Sequence, residues 1–215
     1  MKILTVLLCL CTQVFCHTVD ISTGVLHSSS DTASGSISEK HNTSVGSLAL
    51  DTSLFSNFSG RITYNTSLND RIVRDGSKLS FSDISIHIIS QTGWQSYNFK
   101  PFLGLGVFSR NNRSSNLISN QAYFPFGLES SIYTNGRHKI SILLQEDMFF
   151  FKTSQTQPGH FNTINFRTHL GAIYSYGSFS LSTRAYLSTF NTFTGGLNGP
   201  LSKGIEAKVA YAFSF

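Results

Sequence analysis

The sequence predicts an all-β protein: an up-and-down antiparallel transmembrane β-barrel of ten strands. Three observations predict this fold. Apolar and polar residues alternate in ten segments, short and long connections alternate between those segments, and the charged side chains share one face of each segment. Charged residues make up only 13% of the chain, while hydrophobic residues make up 40%. This balance suits a barrel in lipid, because only every second residue of a strand faces the membrane.

Residues 1–16 are predicted to be a signal peptide. A lysine precedes a short apolar stretch, and Val14 and Cys16 favour cleavage before His17. The stretch is too short to cross a bilayer as a helix. All three cysteines lie in this segment. We therefore expect residues 17–215 to form a barrel domain without disulfides, cysteine metal sites or a cysteine nucleophile.

The last segment, residues 204–215, has the most regular alternation. Its apolar face carries Ile205, Ala207, Val209, Tyr211, Phe213 and Phe215. This ending resembles the C-terminal assembly signal of Gram-negative outer-membrane β-barrels, in which the last residue is typically Phe and alternate residues before it are aromatic or aliphatic. Residues 99–110 are also similar to strands of small OmpA- and OmpW-like barrels. The resemblance implies an assembly signal formed by Val209, Tyr211, Phe213 and Phe215.

Nine further segments alternate in the same way. They are 18–26, 44–55, 58–66, 79–90, 97–109, 121–133, 139–151, 163–175 and 178–189. With the C-terminal segment they make ten strands, an even number that leaves both ends of the barrel on the same side. An eight-stranded barrel that starts near Phe58 has the same parity and stays an alternative, although it leaves a Ser-rich N-terminal arm without a structure.

The connections alternate in length. The predicted short connections are 56–57, 91–96, 134–138 and 176–177, and the predicted long ones are 27–43, 67–78, 110–120, 152–162 and 190–203. Outer-membrane barrels have short periplasmic turns and longer extracellular loops. The resemblance therefore implies that the long connections face outside.

The charged residues of the strands fall on the face opposite the apolar one. This lumen face is predicted to carry Asp20, Asp51, Arg61, Asp83, His87, Lys100, Glu129, Lys139, Asp147, Arg167, His169, Arg184, Glu206 and Lys208. Glu146 alone is expected on the lipid face, either near a strand end or at a bulge in 145–149. Acids and bases balance, which favours a network that plugs the lumen, with a narrow water-filled pore as the alternative. A soluble sandwich would segregate charges in the same way.

Aromatic residues are predicted to form belts at both ends of the barrel. Near the short connections these are Trp94, Tyr97, Phe99, Tyr133, Tyr174, Phe179, Phe213 and Phe215. Near the long connections they are Tyr64, Phe124, Phe149, Phe150, Phe151, Phe166 and Phe190.

The sequence favours a non-enzymatic function. Asp83, Ser85 and His87 are the residue types of a hydrolase triad and share one strand face, but three neighbours on a straight strand rarely converge on one point. No His, Asp and Glu spacing predicts a metal site, and no cofactor is expected. The resemblance implies an outer-membrane protein with a structural or surface-interaction role through its extracellular loops. A narrow porin-like channel, an outer-membrane hydrolase and a secreted β-sandwich remain alternatives.

The expected partners follow from the same resemblance. They are outer-membrane lipid and lipopolysaccharide, the barrel-assembly machinery, and a host or matrix ligand. Loop arginines at 71, 74, 110 and 113 are hypothesised to contact lipopolysaccharide phosphates. Basic residues are scattered along the chain despite its net charge of +5, so nucleic-acid binding is not expected.

Overall fold

The computed structural model describes residues 16–31, 38–55, 57–72, 78–91, 98–154, 157–188 and 202–214. Nearly all of them are in strands: β1 (Cys16–Asp31), β2 (Ser38–Phe55), β3 (Phe58–Ser67), β4 (Arg71–Ile72), β5 (Lys78–Ser90), β6 (Phe99–Asn112), β7 (Leu117–Asn135), β8 (His138–Ser154), β9 (Gln157–Tyr176), β10 (Phe179–Ser188) and β11 (Ser202–Ser214). Among these residues, no helix is long and apolar enough to cross a membrane. Residues 1–15, most of the predicted signal peptide, lie outside the described residues, so its cleavage stays a prediction.

The sheet closes on itself. Consecutive long strands pair antiparallel, β1 pairs with β11, and β3 pairs with β5. The two-residue strand β4 pairs only with the start of β5 and lies outside this ring. The described strands thus form a closed barrel of ten long strands, which confirms the predicted fold. The eight-stranded alternative is wrong, because β1 and β2 pair along most of their length.

Several strands continue beyond the segments in which alternation is visible. Alternation predicts a connection over 27–43, but β1 continues to Asp31 and β2 begins at Ser38. Outside the lipid both faces of a hairpin can be polar, so the strand goes on without an apolar face to reveal it. Three of the predicted long connections are thereby reduced to 32–37, 113–116 and 155–156, and most of their residues form hairpin arms.

Two of the short connections are tight turns with glycine in the left-handed region. Gly136 and Gly177 both have a φ of 57°. A glycine adopts this conformation without the steric penalty that a Cβ brings. These turns fix the register of β7 against β8 and of β9 against β10 at the short-turn end.

The outer surface of the barrel is apolar around its whole circumference. Leu103 on β6 is 64% exposed, Leu170 on β9 is 63% exposed, and Val209 on β11 is 56% exposed. Soluble proteins rarely expose an apolar patch larger than a few hundred Å². The soluble sandwich does not fit, because its apolar face would be buried inside. This surface requires lipid as its solvent.

One carboxylate lies on the outer face of the barrel, and one residue predicted for an aromatic belt lies inside it. Glu146 pairs in register with Phe126, which is exposed, so it shares the outer face in the middle of β8. The bulge expected in 145–149 lies instead between Phe149 and Phe151. Phe149 precedes it and keeps the inward parity of Asp147. It is only 3% exposed, and its assignment to a belt is wrong.

Other aromatic side chains lie outside at the two ends of the barrel. Those exposed near the short turns are Phe55, Phe58, Tyr133, Tyr174, Tyr176, Phe179, Tyr211 and Phe213. Those exposed toward the long connections are Tyr64, Phe124 and Phe166, and Phe150 stacks on Phe124 with ring centroids 4.4 Å apart. Trp94, Tyr97, Phe190 and Phe215 lie outside the described residues.

Leu105→Arg tests the lipid-facing assignment, because Leu105 is 57% exposed on the outer face of β6. We expect a loss of about 2–4 kcal/mol in the free energy of unfolding from lipid vesicles, since a charge near midplane loses its hydration. Denaturant titration followed by heat-modifiable gel migration measures it. Leu117→Arg, at the loop end of β7, is the matched control and should cost at most about 1 kcal/mol. Equal effects of the two variants would contradict the assignment.

Candidate functional site

The predicted lumen charges line two adjoining cavities inside the barrel. The larger cavity has a volume of about 370 Å³, and its charged lining consists of Asp20, Arg61, Asp83, His87, Glu129, Lys139, Asp147, Arg167, His169, Arg184, Glu206 and Lys208. The smaller cavity, of about 210 Å³, lies toward the short-turn end and adds Asp51 and Lys100. Arg61, Glu129 and Lys139 line both cavities. Strand alternation positions all of these side chains, because residues two apart on a strand share a face.

Asp147 on β8 is the most enclosed charge of the described residues. Its side chain is fully buried. It accepts hydrogen bonds from Gln145 Nε2 at 2.6 Å, from Arg167 Nη2 at 2.7 Å and Nε at 2.9 Å, and from His169 Nε2 at 2.9 Å. A buried carboxylate is stable only when donors replace its hydration shell, and these three side chains do so.

Arg167 carries this network across the lumen. Its Nη2 lies 3.6 Å from a carboxylate oxygen of Asp83 on β5, and β6, β7 and β8 separate that strand from β9 in the ring. Tyr123 on β7 donates a hydrogen bond of 2.6 Å to the other oxygen of Asp83. One guanidinium therefore joins opposite walls of the barrel.

Three aromatic rings surround the same guanidinium. Its Cζ lies 5.1 Å from the ring centroid of Phe149, 5.5 Å from that of Phe108 and 5.7 Å from that of Tyr123. Such distances allow cation–π attraction, which is stronger where water is excluded. Gly106 faces Tyr123 in the register, and a Cβ there would overlap the Tyr123 ring. A glycine on β6 thus leaves the space that the ring fills.

Two further contacts join separated strands. Arg61 on β3 forms a two-point ion pair with Asp51 on β2, at 2.6 and 3.0 Å, and its Nη1 lies 3.8 Å from Glu129 on β7. Lys208 on β11 forms an ion pair of 3.0 Å with Glu206 and donates a hydrogen bond of 3.0 Å to Asn65 on β3. Among the described residues, polar contacts thus cross the lumen at three places.

The part of the lumen toward the long connections is packed with buried side chains, most of them apolar or aromatic, with Thr43 and Gln121 among them. Val45 is 0% exposed, Tyr123 2%, Phe149 3% and Phe108 5%. Phe81 stacks on Phe108 with ring centroids 6.0 Å apart. Within the described residues this packed layer covers the Arg167 network on the loop side, and the polar chamber lies below it.

The candidate triad residues do not form a triad. Asp83 is engaged by Tyr123 and Arg167. The His87 ring stacks on Phe102 at 5.2 Å, and no hydrogen bond among the described residues links Asp83, Ser85 and His87. In the same part of the chain, no three His, Cys, Asp or Glu side chains group as metal ligands.

Sequence reasoning missed three uncharged members of the network: Tyr123, Gln145 and Asn65. Each has the parity of a charged residue on its own strand, since Tyr123 lies six residues before Glu129 and Gln145 two before Asp147. That parity was the available signal. It places a side chain in the lumen, but it does not show that an uncharged residue there takes part in the charge network.

Comparison with solved structures finds several similar chains, including the following three. Neisserial surface protein A is 12% identical, with 91% of this chain and 97% of that chain covered and a TM-score of 0.40. An outer-membrane channel from Pseudomonas putida F1 is 10% identical, with 92% and 96% covered and a TM-score of 0.50. The translocator domain of the autotransporter NalP from Neisseria meningitidis is 10% identical, with 99% and 95% covered and a TM-score of 0.46.

These identities are too low to indicate a shared activity. The likeness to the channel shows the fold alone, which is the closed antiparallel barrel found in outer-membrane proteins. No protein-family model matches the sequence, and no curated protein matches it.

Arg167→Met tests how much the network contributes to the free energy of unfolding. It would leave Asp147 buried with its main ionic partner removed, and we expect a loss of about 3–5 kcal/mol in the free energy of unfolding. Denaturant titration in lipid vesicles measures it. The double variant Arg167→Met/Asp147→Leu should lose less than the sum of the two single variants. Arg113→Met, which breaks the exposed pair with Asp70 at 3.2 Å, is the control and should cost less than about 1 kcal/mol. Additive single effects would contradict a coupled network.

Proposed function

We propose that this protein is an integral barrel of the bacterial outer membrane whose lumen is plugged, and that it has a structural or surface-interaction role through its exposed hairpins and loops. The observation that carries the proposal is Arg167, which joins β9 to Asp83 on the far wall inside a ring of aromatic side chains. The contact between Arg167 and Asp83 forms a strut across the lumen, and this strut obstructs the path of a solute through the barrel.

The location is supported by features of the chain and its surface. The outer face is apolar on every side, as lipid requires. The predicted signal peptide and the aromatic ending of the sequence agree with export and insertion by a barrel-assembly machinery. A bacterial outer membrane is the environment that combines these features.

The plug is supported over a pore by the packing of the loop-side lumen. Val45, Tyr123 and Phe149 are each no more than 3% exposed, so almost no water-accessible space borders these side chains. An ion would have to displace these side chains and break the pairs of Arg167. Breaking a buried pair costs on the order of 3–5 kcal/mol. The narrow channel remains the second candidate, because the cavities below this layer are polar and adjoin each other.

The surface role is supported by ordered contacts at the loop-side rim. Arg113 pairs with Asp70, at 3.2 Å, and its backbone N–H donates to the Lys78 carbonyl at 2.8 Å. The side-chain oxygen of Asn69 accepts a 2.7 Å hydrogen bond from the backbone of Ser44. These contacts link β2, β5 and β6 into a fixed rim, which suits recognition of a partner.

The partners at this rim are part of the proposal. Lipopolysaccharide and a host or matrix ligand are the proposed classes. Arg113 is already engaged by Asp70, which lowers its contribution to phosphate binding. Arg74 and the side chain of Arg71 lie outside the described residues, so the arginine hypothesis rests on the sequence there.

Conductance in planar bilayers tests the plug. We expect no channel steps from the full-length protein, because the packed layer and the Arg167 pairs block ion passage. The variant Tyr123→Ala/Phe149→Ala/Arg167→Ser removes the strut and two rings, and we expect it to conduct.

The matched control truncates aromatic side chains on the other face of one of the same strands. Phe124→Ala/Phe126→Ala removes two exposed rings of β7 and should stay silent. Regular channel steps from the unaltered protein would contradict the plug and favour the narrow channel.

A further inference from the structure

The polar chamber below the packed layer is lined by many hydroxyl groups. The serine and threonine residues that line the 370 Å³ cavity are Ser22, Ser47, Thr63, Ser85, Ser141, Ser175, Ser180 and Ser182. The cavity has the volume of about a dozen water molecules at roughly 30 Å³ each. It adjoins the smaller cavity at the short-turn end. A small polar solute therefore fits into the chamber.

Most charges around this chamber have partners. Asp147 and Asp83 share Arg167, and Glu206 pairs with Lys208. Arg184 on β10 lines the cavity too and, like Asp20 and Lys139, it forms no direct ion pair or hydrogen bond among the described residues. An unpaired guanidinium away from bulk water is costly unless an anion or ordered water solvates it.

The surroundings of Arg184 leave room for an anion. Its register partner on β9 is Gly171, which has no side chain, and its partner on β11 is Glu206, which Lys208 holds. His169 lies two residues before Gly171, and its ring centroid is 6.0 Å from that of Tyr186, two residues after Arg184. The guanidinium thus faces the chamber beside an imidazole.

Two imidazole nitrogens at this chamber also have no partner. Nε2 of His87 and Nδ1 of His169 are buried without a hydrogen-bond partner among the described residues, and both residues line the cavity. His169 donates from Nε2 to Asp147, so in its neutral form Nδ1 is an acceptor. A ligand that meets all three groups needs oxygens for the guanidinium and an O–H for that nitrogen. A singly or doubly protonated phosphate has both, whereas a carboxylate has no O–H.

We infer that the chamber binds a phosphate group, free or as a phosphate monoester, with Arg184 as its main contact and His87 and His169 as hydrogen-bonding partners. Guanidinium groups bind phosphate through two parallel N–H···O bonds. The inference goes beyond the proposed function, because a plugged barrel has no need of a ligand site. A conducting barrel would contradict the plug and leave the binding result valid.

Histidine NMR on the full chain in detergent micelles tests this site. Imidazole Cε1 resonances are followed while sodium phosphate is added, with sodium chloride and sodium acetate at matched ionic strength as references. We expect saturable shifts of His87 and His169 with phosphate only. His27 and His138, whose Nδ1 atoms contact Asn42 and Tyr174 away from the chamber, should not move. A second arm with glycerol phosphate separates free phosphate from a monoester.

Variants of Arg184 link the shifts to the site. Arg184→Gln should abolish them, and Arg184→Lys should weaken the apparent affinity by about ten-fold or more, because the ammonium lacks the two-point geometry. Arg137→Gln, in the exposed β7–β8 turn, is the control and should bind as the unaltered protein does. Heat-modifiable migration verifies that each variant is folded. If Arg184→Gln does not fold, the binding measurement on Arg184→Lys decides the test. Unchanged His87 and His169 resonances, equal shifts with chloride, or full binding by the folded variants would overturn the inference.

Discussion

Closure of the sheet is the constraint on which the rest of this structure depends. Once β1 pairs with β11, no long strand of the described barrel has an unpaired edge, and its apolar face can lie in lipid. The charged face then has only the interior available. Ten strands enclose a narrow lumen in which side chains replace bulk water. The charges there must solvate one another, and this requirement brings Asp147 three side-chain donors.

The same requirement explains why the network crosses the lumen instead of following the wall. Neighbours in the register satisfy some charges, as Asp51 does for Arg61. Arg167 has two acids within reach and sits among three rings, so its pairing extends from β8 to β5. A strut of this kind stabilises the barrel and also fills it. The stability of the barrel and the proposed plug of its lumen therefore depend on one arrangement of side chains.

Alternation in the sequence predicts well which face of its strand a residue occupies. It predicts poorly the height of the residue, which is its position along the barrel axis. It placed Asp83 and Arg167 on the inner face, but their contact depends on strand tilt and on the stagger of four intervening pairings, which no single strand encodes. Phe149 shows a related limit. Its parity with Asp147 pointed inward, yet three consecutive phenylalanines and a bulge after it obscured that parity. Hairpin arms such as the end of β1 were missed because their two faces have the same polarity.

Height in the barrel also separates two arginines that the sequence makes look alike. Arg167 and Arg184 are inward residues of adjacent strands and both line the chamber, but Arg167 pairs with two carboxylates under the packed layer, whereas Arg184 lies opposite Gly171. Arg167 is held by its ion pairs with Asp147 and Asp83. Arg184 forms no direct ion pair among the described residues. Under the proposed function one packed layer blocks ion flow, and the cavity below it leaves space for the proposed phosphate group. The two proposals are thus compatible in one small barrel, and either can fail without the other.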